Sequence, residues 1–307
     1  MSGLSDSLAG CRIVEFGLNL PGPLLTQRLG RYGAYTVKVE PPTGDPTAGM
    51  FKDSAGVAVL YQMLNGQKKI ERIDLKTQAG KEQALHEVAG ADIVVESSTP
   101  GTMIALGLGY DHCRKINPSL IYCSLTGFGD QAVPGHDINF VAAAGLGSAM
   151  GYGHRARLPL FPVADIAGGV LAAESAILAG LLKRHATGDG QEIQINIAAQ
   201  LRQLNVIGAA SRAALVNRGD MFLRGDYPCY RVYRCKDDTL LAVGALEPKF
   251  WIRFCQLTGL ESLGPRQFET FSEGDAHMLV ENVMASRYAT DWEAASLVAP
   301  CCLTAVL

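Results

Sequence analysis

Residues 12–40, RIVEFGLNLPGPLLTQRLGRYGAYTVKVE, decide the fold of this chain. The stretch opens with a run rich in Ile and Val at 12–16 and closes with a similar run at 36–40. Short apolar runs of this kind are typical of strands buried in a parallel sheet. Residues 24–31 between them have the apolar spacing of a helix. The stretch therefore predicts a strand, a helix and a second strand that lies parallel to the first.

The same alternation continues along the chain. A long apolar helix is indicated at 170–185, followed by a strand at 192–195 and another helix from Ile197. Before them, helical patterns at 57–64, 80–89 and 110–116 alternate with strand-like runs at 71–74, 92–96 and 120–125. This order predicts an α/β fold with an open, mostly parallel sheet that is covered by helices on both faces.

The pattern changes towards the end of the chain. Two strand-like runs flank Lys236-Asp237-Asp238, which is typical of a β-hairpin, and 248–257 has the pattern of a helix. A basic, glycine-containing segment precedes them. We therefore expect a large α/β domain at 1–216, a linker at 217–225 and a smaller α+β domain at 226–307.

Composition excludes several classes of protein. The chain has 307 residues and a formal net charge of −3, which offers no basic surface for nucleic acid. Its longest apolar helical stretch, 170–182, is interrupted by Glu174 and is too short to cross a membrane. The first residues lack the basic and apolar regions of a secretion signal. The eight cysteines and the histidines show no metal-ligand spacing. We expect a cytoplasmic protein with reduced thiols and no metal.

Two segments carry candidate catalytic residues. The first is Gly135-His136-Asp137-Ile138-Asn139, and the second contains Asp165 followed by Gly168-Gly169. Imidazole and carboxylate are suited to moving a proton near neutral pH, one on each face of a substrate. Each segment follows a proline and is predicted to be a turn that leads into a helix, where catalytic side chains are often held. A local hydrogen bond or a helix cap is the competing interpretation of His136 and Asp137.

The chain resembles the family III CoA-transferases and their racemase relatives over nearly its whole length. Within that family, Gly135-His136-Asp137-Ile138-Asn139 is similar to the α-methylacyl-CoA racemase branch, since the transferases usually carry another residue where His136 stands. The other motifs that carry the resemblance include Arg12-Ile13-Val14-Glu15-Phe16, Pro21-Gly22-Pro23, Val37-Lys38-Val39-Glu40-Pro41-Pro42, Asp74-Leu75-Lys76, Leu106-Gly107-Leu108-Gly109-Tyr110 and Gly127-Phe128-Gly129.

The resemblance implies a function and a site. It implies an isomerase that removes and returns the α-proton of a 2-methylacyl-CoA thioester, with His136 and Asp165 as the acid and base. Glu247 matches a racemase glutamate that reaches the site from the small domain, although it can also serve only to begin a helix. Backbone N–H groups of Gly168 and Gly169 are candidates to approach the thioester oxygen; close helix packing is their alternative role. Coenzyme A is part of the substrate, and no separate cofactor is expected. The resemblance also implies an interlocked homodimer.

The resemblance further implies residues that contact coenzyme A. Lys76 in Asp74-Leu75-Lys76 matches a family contact. Thr99 and Ala105 stand where relatives place arginines for the phosphates. We therefore expect the phosphates to be held by basic residues elsewhere, and the substrate contacts to include Gly135, Asp137 and Asn139. The basic candidates are Lys38, Lys68, Lys69, Arg72 and Lys76.

Two other functions stay open. In a family III CoA-transferase, Asp165 would instead attack the acyl-CoA carbonyl and later carry CoA as an aspartyl thioester. In a catalytically inactive acyl-CoA-binding paralogue, neither chemistry would occur. Thr99, Ala105, a short loop between Gly129 and Gly135 and the end of the sequence at Leu307, where relatives continue, keep this second alternative open.

Overall fold

The computed structural model describes residues 3–146, 161–213, 223 and 225–306. The chain divides into two compact units, Met1–Asn205 and Val206–Leu307. The division falls ahead of the predicted linker at 217–225, of which only residues 223 and 225 are described. Each unit has its own sheet and its own hydrophobic core.

A six-stranded sheet forms the centre of the first unit. Its strands are β1 (Arg12–Glu15), β2 (Tyr35–Glu40), β3 (Lys69–Arg72), β4 (Ile93–Glu96), β5 (Ile121–Thr126) and β6 (Gln191–Asn196). They lie in the order β3-β2-β1-β4-β5-β6, and every neighbouring pair is parallel. The predicted open parallel sheet is therefore confirmed, with strand bounds that differ from the predicted ones by a few residues.

Helices cover both faces of this sheet. Successive residues of a strand point to opposite faces, so neighbouring residues of β1 pack in different cores. On one face Ile13 of β1 packs in a core with residues of the helices after β1 and before β6, and on the other face Val14 packs in a second core. The helices of the unit are α1 (Pro21–Gly30), α2 (Val59–Asn65), α3 (Gln78–Ala89), α4 (Thr102–Ala105), α5 (Tyr110–Ile116), α6 (Asp137–Ala143), α7 (Ala172–Thr187) and α8 (Ile197–Leu204), with a 3-10 turn at Pro46–Gly49.

The strand order reverses between β1 and β4. In an open parallel sheet this point leaves a crevice outside the carboxyl ends of the two strands. Backbone segments come very close there: a Cβ on Gly17 would lie 3.0 Å from Gly22 Cα and 3.2 Å from Ser97 Oγ. Glycine at both positions allows the loop after β1 to fold tightly against the loop after β4.

The longest helix of the first unit begins with a π-helix, Ala164–Leu171, and continues as α7. Together they span Ala164–Thr187, which by length and composition alone could cross a membrane. One side of this segment packs on the sheet through Val170 and Ile177. The buried carboxylate of Glu174 accepts hydrogen bonds from side chains of α1 and the turn after it. The expectation that the apolar stretch over 170–182 is too short to cross a membrane is therefore wrong as to length, because the helix has 24 residues; 39% of its most apolar window is buried.

Four charged side chains, two of them from β1 and β2, form a buried network. The Lys38 ammonium lies 3.0 Å from Glu15 Oε1 and 3.0 Å from Asp45 Oδ2. Lys68 Nζ lies 2.8 Å from Glu15 Oε2. Glu15 and Lys38 are 0% exposed. Burial lowers the pKa of Lys68 to about 8. We call Glu15, Lys38, Asp45 and Lys68 the buried ion network.

The buried ion network also holds the loop between β1 and α1. Lys38 Nζ donates to the Gly17 carbonyl at 2.7 Å, and Lys68 Nζ donates to the Pro23 carbonyl at 2.8 Å. Both carbonyls therefore point inwards, and the loop that borders the crevice is fixed from below.

The second unit contains a three-stranded antiparallel sheet in the order β7-β8-β9. The predicted hairpin is confirmed, with Tyr230 opposite Gly244. Its core includes the fully buried rings of Trp251 and Trp292. The elements of this unit are α9 (Val206–Ala213), β7 (Tyr230–Arg234), β8 (Leu240–Gly244), α10 (Pro248–Thr258), a 3-10 helix at Glu261–Arg266, α11 (Ala276–Met284), α12 (Ala289–Val298) and β9 (Leu303–Ala305).

Candidate active site

The chain after β5 turns sharply before α6 begins. Gly127 and Gly135 lie against the ring of Phe140, and a Cβ would sit 2.2 Å from Phe140 Cε1 at Gly127 and 2.8 Å from it at Gly135. Phe140 in turn meets Phe128 edge to face, with ring centroids 5.1 Å apart. Any larger residue at these glycines would displace the aromatic pair. This packing sets the path of the chain that presents His136.

His136 is the residue that precedes α6, and it is exposed. Its backbone N–H donates to Asn139 Oδ1 at 3.0 Å, and the Asn139 N–H donates to the His136 carbonyl at 2.8 Å. These bonds pair backbone groups that a helix start leaves without partners. Asn139 thus has a structural role at the start of α6; its predicted contact with substrate stays a prediction.

Asp165 lies in the first turn of the π-helix and is partly buried. Burial, and after it the negative charge of Asp137, raise the pKa of its carboxyl group to about 6. The charge of His136 acts the other way and favours the ionised carboxylate. The structure therefore brings His136, Asp137 and Asp165 within electrostatic reach of one another, although their segments are separated in the sequence.

Asp137 connects the two segments directly. Its Oδ1 accepts the backbone N–H of Ala164 at 2.7 Å and that of Asp165 at 2.9 Å. The first N–H groups of a helix have no partner within the helix, and a carboxylate is a good acceptor for them. The sequence predicted that Asp137 would cap α6, the helix that it begins. The structure shows that the capped helix is the one that carries Asp165.

Gly168 and Gly169 are both buried where the π-helix packs on α8. A Cβ on Gly168 would lie 2.5 Å from the Ile197 carbonyl oxygen, and one on Gly169 would lie 3.3 Å from Ile197 Cδ1. Close helix packing therefore explains Gly168, whereas at Gly169 the Ile197 side chain would need to shift by only a few tenths of an ångström. The Ile166 N–H, near the start of the same helix, donates to the Pro162 carbonyl at 3.0 Å. The predicted approach of Gly168 and Gly169 N–H groups to a thioester oxygen stays a prediction.

A carboxyl group whose pKa lies near 6 can both accept and return a proton close to neutral pH. An imidazole has the same property by its ordinary chemistry. Two such groups within electrostatic reach, one exposed and one partly buried, can act as a base and an acid on the same substrate atom. The same partly exposed carboxylate can also attack a carbonyl carbon.

Replacing Asp137 with asparagine should lower the pKa of Asp165 below about 6. The amide oxygen still accepts the two backbone N–H groups, whereas the negative charge that disfavours ionised Asp165 is gone. A carbon-13 NMR titration of the Asp165 carboxyl group measures the change. Asp137→Ala is the matched control, because it removes the charge and also the cap, and should cost about 1 kcal/mol of stability. An unchanged titration in Asp137→Asn would contradict this role.

The predicted coenzyme A motif, Asp74-Leu75-Lys76, forms the turn between β3 and α3. Asp74 Oδ1 accepts the Lys76 N–H at 3.0 Å. A Cβ on Gly80 would lie 2.0 Å from the Asp74 carbonyl oxygen, so the turn is pressed against the start of α3. Lys76 is exposed and Leu75 is partly buried. The turn is well defined, and its contact with coenzyme A stays a prediction.

The structure contradicts the prediction that Lys38 and Lys68 bind a phosphate. Lys38 is 0% exposed, and its ammonium is engaged by Glu15, Asp45 and the Gly17 carbonyl. The Lys68 side chain is 3% exposed and is equally engaged. Their positive charges are neutralised inside the buried ion network, so neither is available to a solvent-borne anion. Of the other candidates, Lys69 pairs with Glu71, and Arg72 is exposed.

A groove that the sequence did not reveal lies over β5 and β6, beside the end of β4 and the helices α4 and α5. Its volume is about 660 Å3, and Thr99 is among the residues that line it. Carboxylates line it at Glu96, Asp111, Asp130 and Glu192. Burial raises the pKa of Glu96. The carboxylates of this groove disfavour a phosphate there.

Glu247 lies in the second unit, directly before α10. Pro248 occupies the first position of that helix, which suits its fixed φ and missing N–H. The Glu247 carboxylate is exposed and makes no cap hydrogen bond to the helix. A role for Glu247 in the site stays a prediction. In the described part of the chain no group of three or more His, Cys, Asp or Glu side chains could hold a metal ion.

Most of the chain is similar to known proteins. The model of a family described as CoA-transferase family III matches residues 8–307. A probable fatty acyl-CoA transferase of Mycobacterium tuberculosis is 30% identical over 95% of this chain and 80% of its own length. The alpha-methylacyl-CoA racemase of Homo sapiens is 32% identical over 83% of this chain and 66% of its own length. An orthorhombic crystal structure of the same Mycobacterium tuberculosis protein has a TM-score of 0.82 at 29% identity, covering 99% of this chain and 84% of that chain.

Proposed function

The chain belongs to CoA-transferase family III, and we propose that it is a racemase or epimerase of 2-methylacyl-CoA thioesters. The observation that carries this proposal is the link between the two segments: Asp137, next to His136, accepts the N–H groups of Ala164 and Asp165. The pKa of the Asp165 carboxyl group, raised to about 6, supports it. Such a reaction needs two proton carriers whose pKa values lie near the working pH. The similarity to the human racemase supports the same class of reaction.

The proposed reaction is two proton transfers at Cα of the acyl group. For one enantiomer, the Asp165 carboxylate removes the α-proton, and the electron pair moves to the thioester oxygen to form an enolate. The His136 imidazolium then delivers a proton to the opposite face of Cα. Asp165 ends protonated and His136 neutral, which is the state that the other enantiomer requires. No atoms besides protons are exchanged, and no separate cofactor is needed.

The structure of the site suits this cycle. Burial and the charge of Asp137 raise the proton affinity of Asp165, which makes it a stronger base than an ordinary aspartate. The bonds from Ala164 and Asp165 N–H to Asp137 Oδ1 hold the helix start in place. Asp137 therefore acts as a positioning residue that also tunes the base.

A CoA-transferase is the second candidate, and the similarity to a probable fatty acyl-CoA transferase favours it. Asp165 would then attack the acyl-CoA carbonyl and expel the CoA thiolate, which leaves an acyl-aspartyl anhydride. The thiolate would attack the aspartyl carbonyl, release the first acid and form an aspartyl thioester. A second carboxylate would reverse these steps and leave with CoA. In that mechanism His136 transfers no proton.

Deuterium exchange separates these functions. With 2-methylbutanoyl-CoA in D2O and no acceptor acid, the racemase should incorporate deuterium at Cα, which NMR detects. It should also invert the configuration at Cα, which chiral chromatography detects. His136→Gln should lose racemisation by at least about a hundredfold, yet still exchange the proton of one enantiomer through Asp165. His86→Gln, an exposed histidine on α3, is the matched control and should retain full activity.

Other outcomes assign the other functions. Movement of labelled CoA only after an acid is added, with His136→Gln active, would establish the transferase. Neither exchange nor transfer, with acyl-CoA bound, would indicate the binding paralogue. Full racemase activity in His136→Gln would exclude the two-base mechanism.

We also propose that the protein works as a homodimer in which Glu247 completes the site. The exposed carboxylate of Glu247, which makes no cap bond, supports this proposal. Co-expressed Asp165→Asn and Glu247→Gln chains should then recover part of the activity that each lacks alone. Light scattering that shows only monomer at micromolar concentration would contradict the proposal.

A further inference from the structure

Both segments that carry the candidate catalytic residues pack on the same helix, α8. A Cβ on Gly168 of the π-helix would lie 2.5 Å from the carbonyl oxygen of Ile197, the first residue of α8. Helix α6, which begins directly after His136, shares a hydrophobic core with α8 that includes Phe140 and Leu201. Helix α8 is therefore the common support of both segments.

The carboxyl end of α6 is bound by a side chain of α8. The backbone N–H groups that follow α6 donate to the carbonyls of Phe140, Val141 and Ala142. The carbonyl of Ala143, the last residue of α6, instead accepts a hydrogen bond from Arg202 Nη2 at 2.6 Å. Among the described residues, no other side chain donates to this carbonyl. A cationic donor suits this place, because the last carbonyls of a helix lack partners within it and carry partial negative charge.

Helix α8 holds the chain around His136 at two points. The Ala198 N–H, near the start of α8, donates to the Gly127 carbonyl at 3.1 Å. Arg202, about one helical turn further along α8, binds the Ala143 carbonyl. His136 lies between Gly127 and Ala143 in the sequence. The turn and the helix that present the imidazole are thus attached to α8 at both of their ends.

We propose that Arg202 is a positioning residue that keeps His136 in place relative to Asp165, an inference that rests on the proton transfers proposed above. Groups that pass a proton to and from one substrate atom must be held in a fixed geometry, and a misplacement of about 1 Å can cost as much as a hundredfold in rate. Arg202 binds one end of α6, and the other end carries His136 and Asp137. Without the bond to Ala143, α6 loses an attachment to the helix that also supports Asp165.

Replacing Arg202 with methionine tests this role. The variant loses the donor but keeps a long side chain, and it should fold, since Arg202 is exposed. We expect kcat for racemisation to fall about tenfold with little change in KM, because the misplaced group acts in the transition state. Arg202→Lys should keep more activity than Arg202→Met, because an ammonium can also donate to a carbonyl.

The titration of the Asp165 carboxyl group separates positioning from a role in stability alone. In Arg202→Met, α6 shifts together with Asp137, and the burial of Asp165 decreases. Both changes lower the pKa of Asp165, so it should fall below about 6 in a carbon-13 NMR titration. The loss of the charge of His136 acts the other way, but it is the smallest of the three causes. A role in stability alone would leave this titration unchanged.

Gln203→Met is the matched control, because Gln203 is the exposed neighbour of Arg202 on α8. It should change neither kcat nor the Asp165 titration. An unchanged Asp165 titration in Arg202→Met, or an equal loss of kcat in Gln203→Met, would overturn the proposal. The titration needs no substrate, so it decides the role of Arg202 separately from the reaction. A wild-type protein that exchanges no α-proton would overturn the racemase function instead.

Discussion

Replacing Asp165 with asparagine should lower kcat by at least about a hundredfold, since a positioned acid or base contributes roughly 10²–10⁴-fold to a reaction. Under either proposed reaction, this carboxylate forms or breaks a bond to the substrate. An amide has neither the basicity to remove an α-proton nor the charge to attack a thioester. Steady-state racemisation and CoA transfer, each measured with its own substrates, give the size of the loss.

The Asp165→Asn variant should remain folded. The two N–H bonds to Asp137 come from the backbone, so they survive the substitution. The variant also removes a charge that burial and Asp137 disfavour. Asp189→Asn, in an exposed turn after α7, is the matched control and should change kcat by less than twofold. Activity of Asp165→Asn within a few-fold of the wild type would exclude both proposed reactions.

Replacing Glu15 with glutamine should lower the free energy of unfolding by about 3–5 kcal/mol, the usual cost of breaking a buried ion pair from one side. Glu15 is 0% exposed and receives both Lys38 and Lys68. With glutamine there, two buried ammonium groups face Asp45 as their remaining carboxylate within the network.

Urea denaturation followed by circular dichroism measures this change. Both tryptophans, Trp251 and Trp292, lie in the second unit, so their fluorescence reports on that unit while the dichroism records both. Glu82→Gln on the exposed side of α3 is the control and should stay within about 0.5 kcal/mol of the wild type. An unfolding free energy for Glu15→Gln within 1 kcal/mol of the wild type would show that the network contributes little.

Much of the fold is predictable because it depends on local pattern. Short apolar runs such as Ile13-Val14 are typical of strands covered on both faces, and such a strand forms here. The hairpin around Asp238 follows from a turn between two apolar runs, and Asp238 adopts the positive φ of 62° that such a turn requires. The order of the strands in the sheet, in contrast, depends on contacts between distant segments, which no local pattern records.

The same limit applies to the site. His136 and Asp165 could be singled out through the resemblance to the family, because a histidine or an aspartate in such a turn is by itself more often a cap or a local hydrogen bond. The link that Asp137 makes to Ala164 spans 27 residues, and no local pattern records it. Lys38 alternates with apolar residues on β2, and its sequence position does not reveal that Glu15 and Asp45 will neutralise it. A lysine in a strand was therefore wrongly predicted to bind phosphate.

The π-helix at Ala164–Leu171 has a consequence for how this site can change over evolutionary time. A π-helical segment holds one residue more per hydrogen-bonded ring than an α-helix. Each residue of an α-helix advances about 100° around the axis. Deleting a single residue within 166–171 would let the segment revert to α-helix and turn Asp165 away from His136 by about that angle, while leaving α7 packed on the sheet. The loss of one residue, and not a series of substitutions, would therefore be enough to change the direction of the Asp165 carboxylate while the rest of the helix stays as it is.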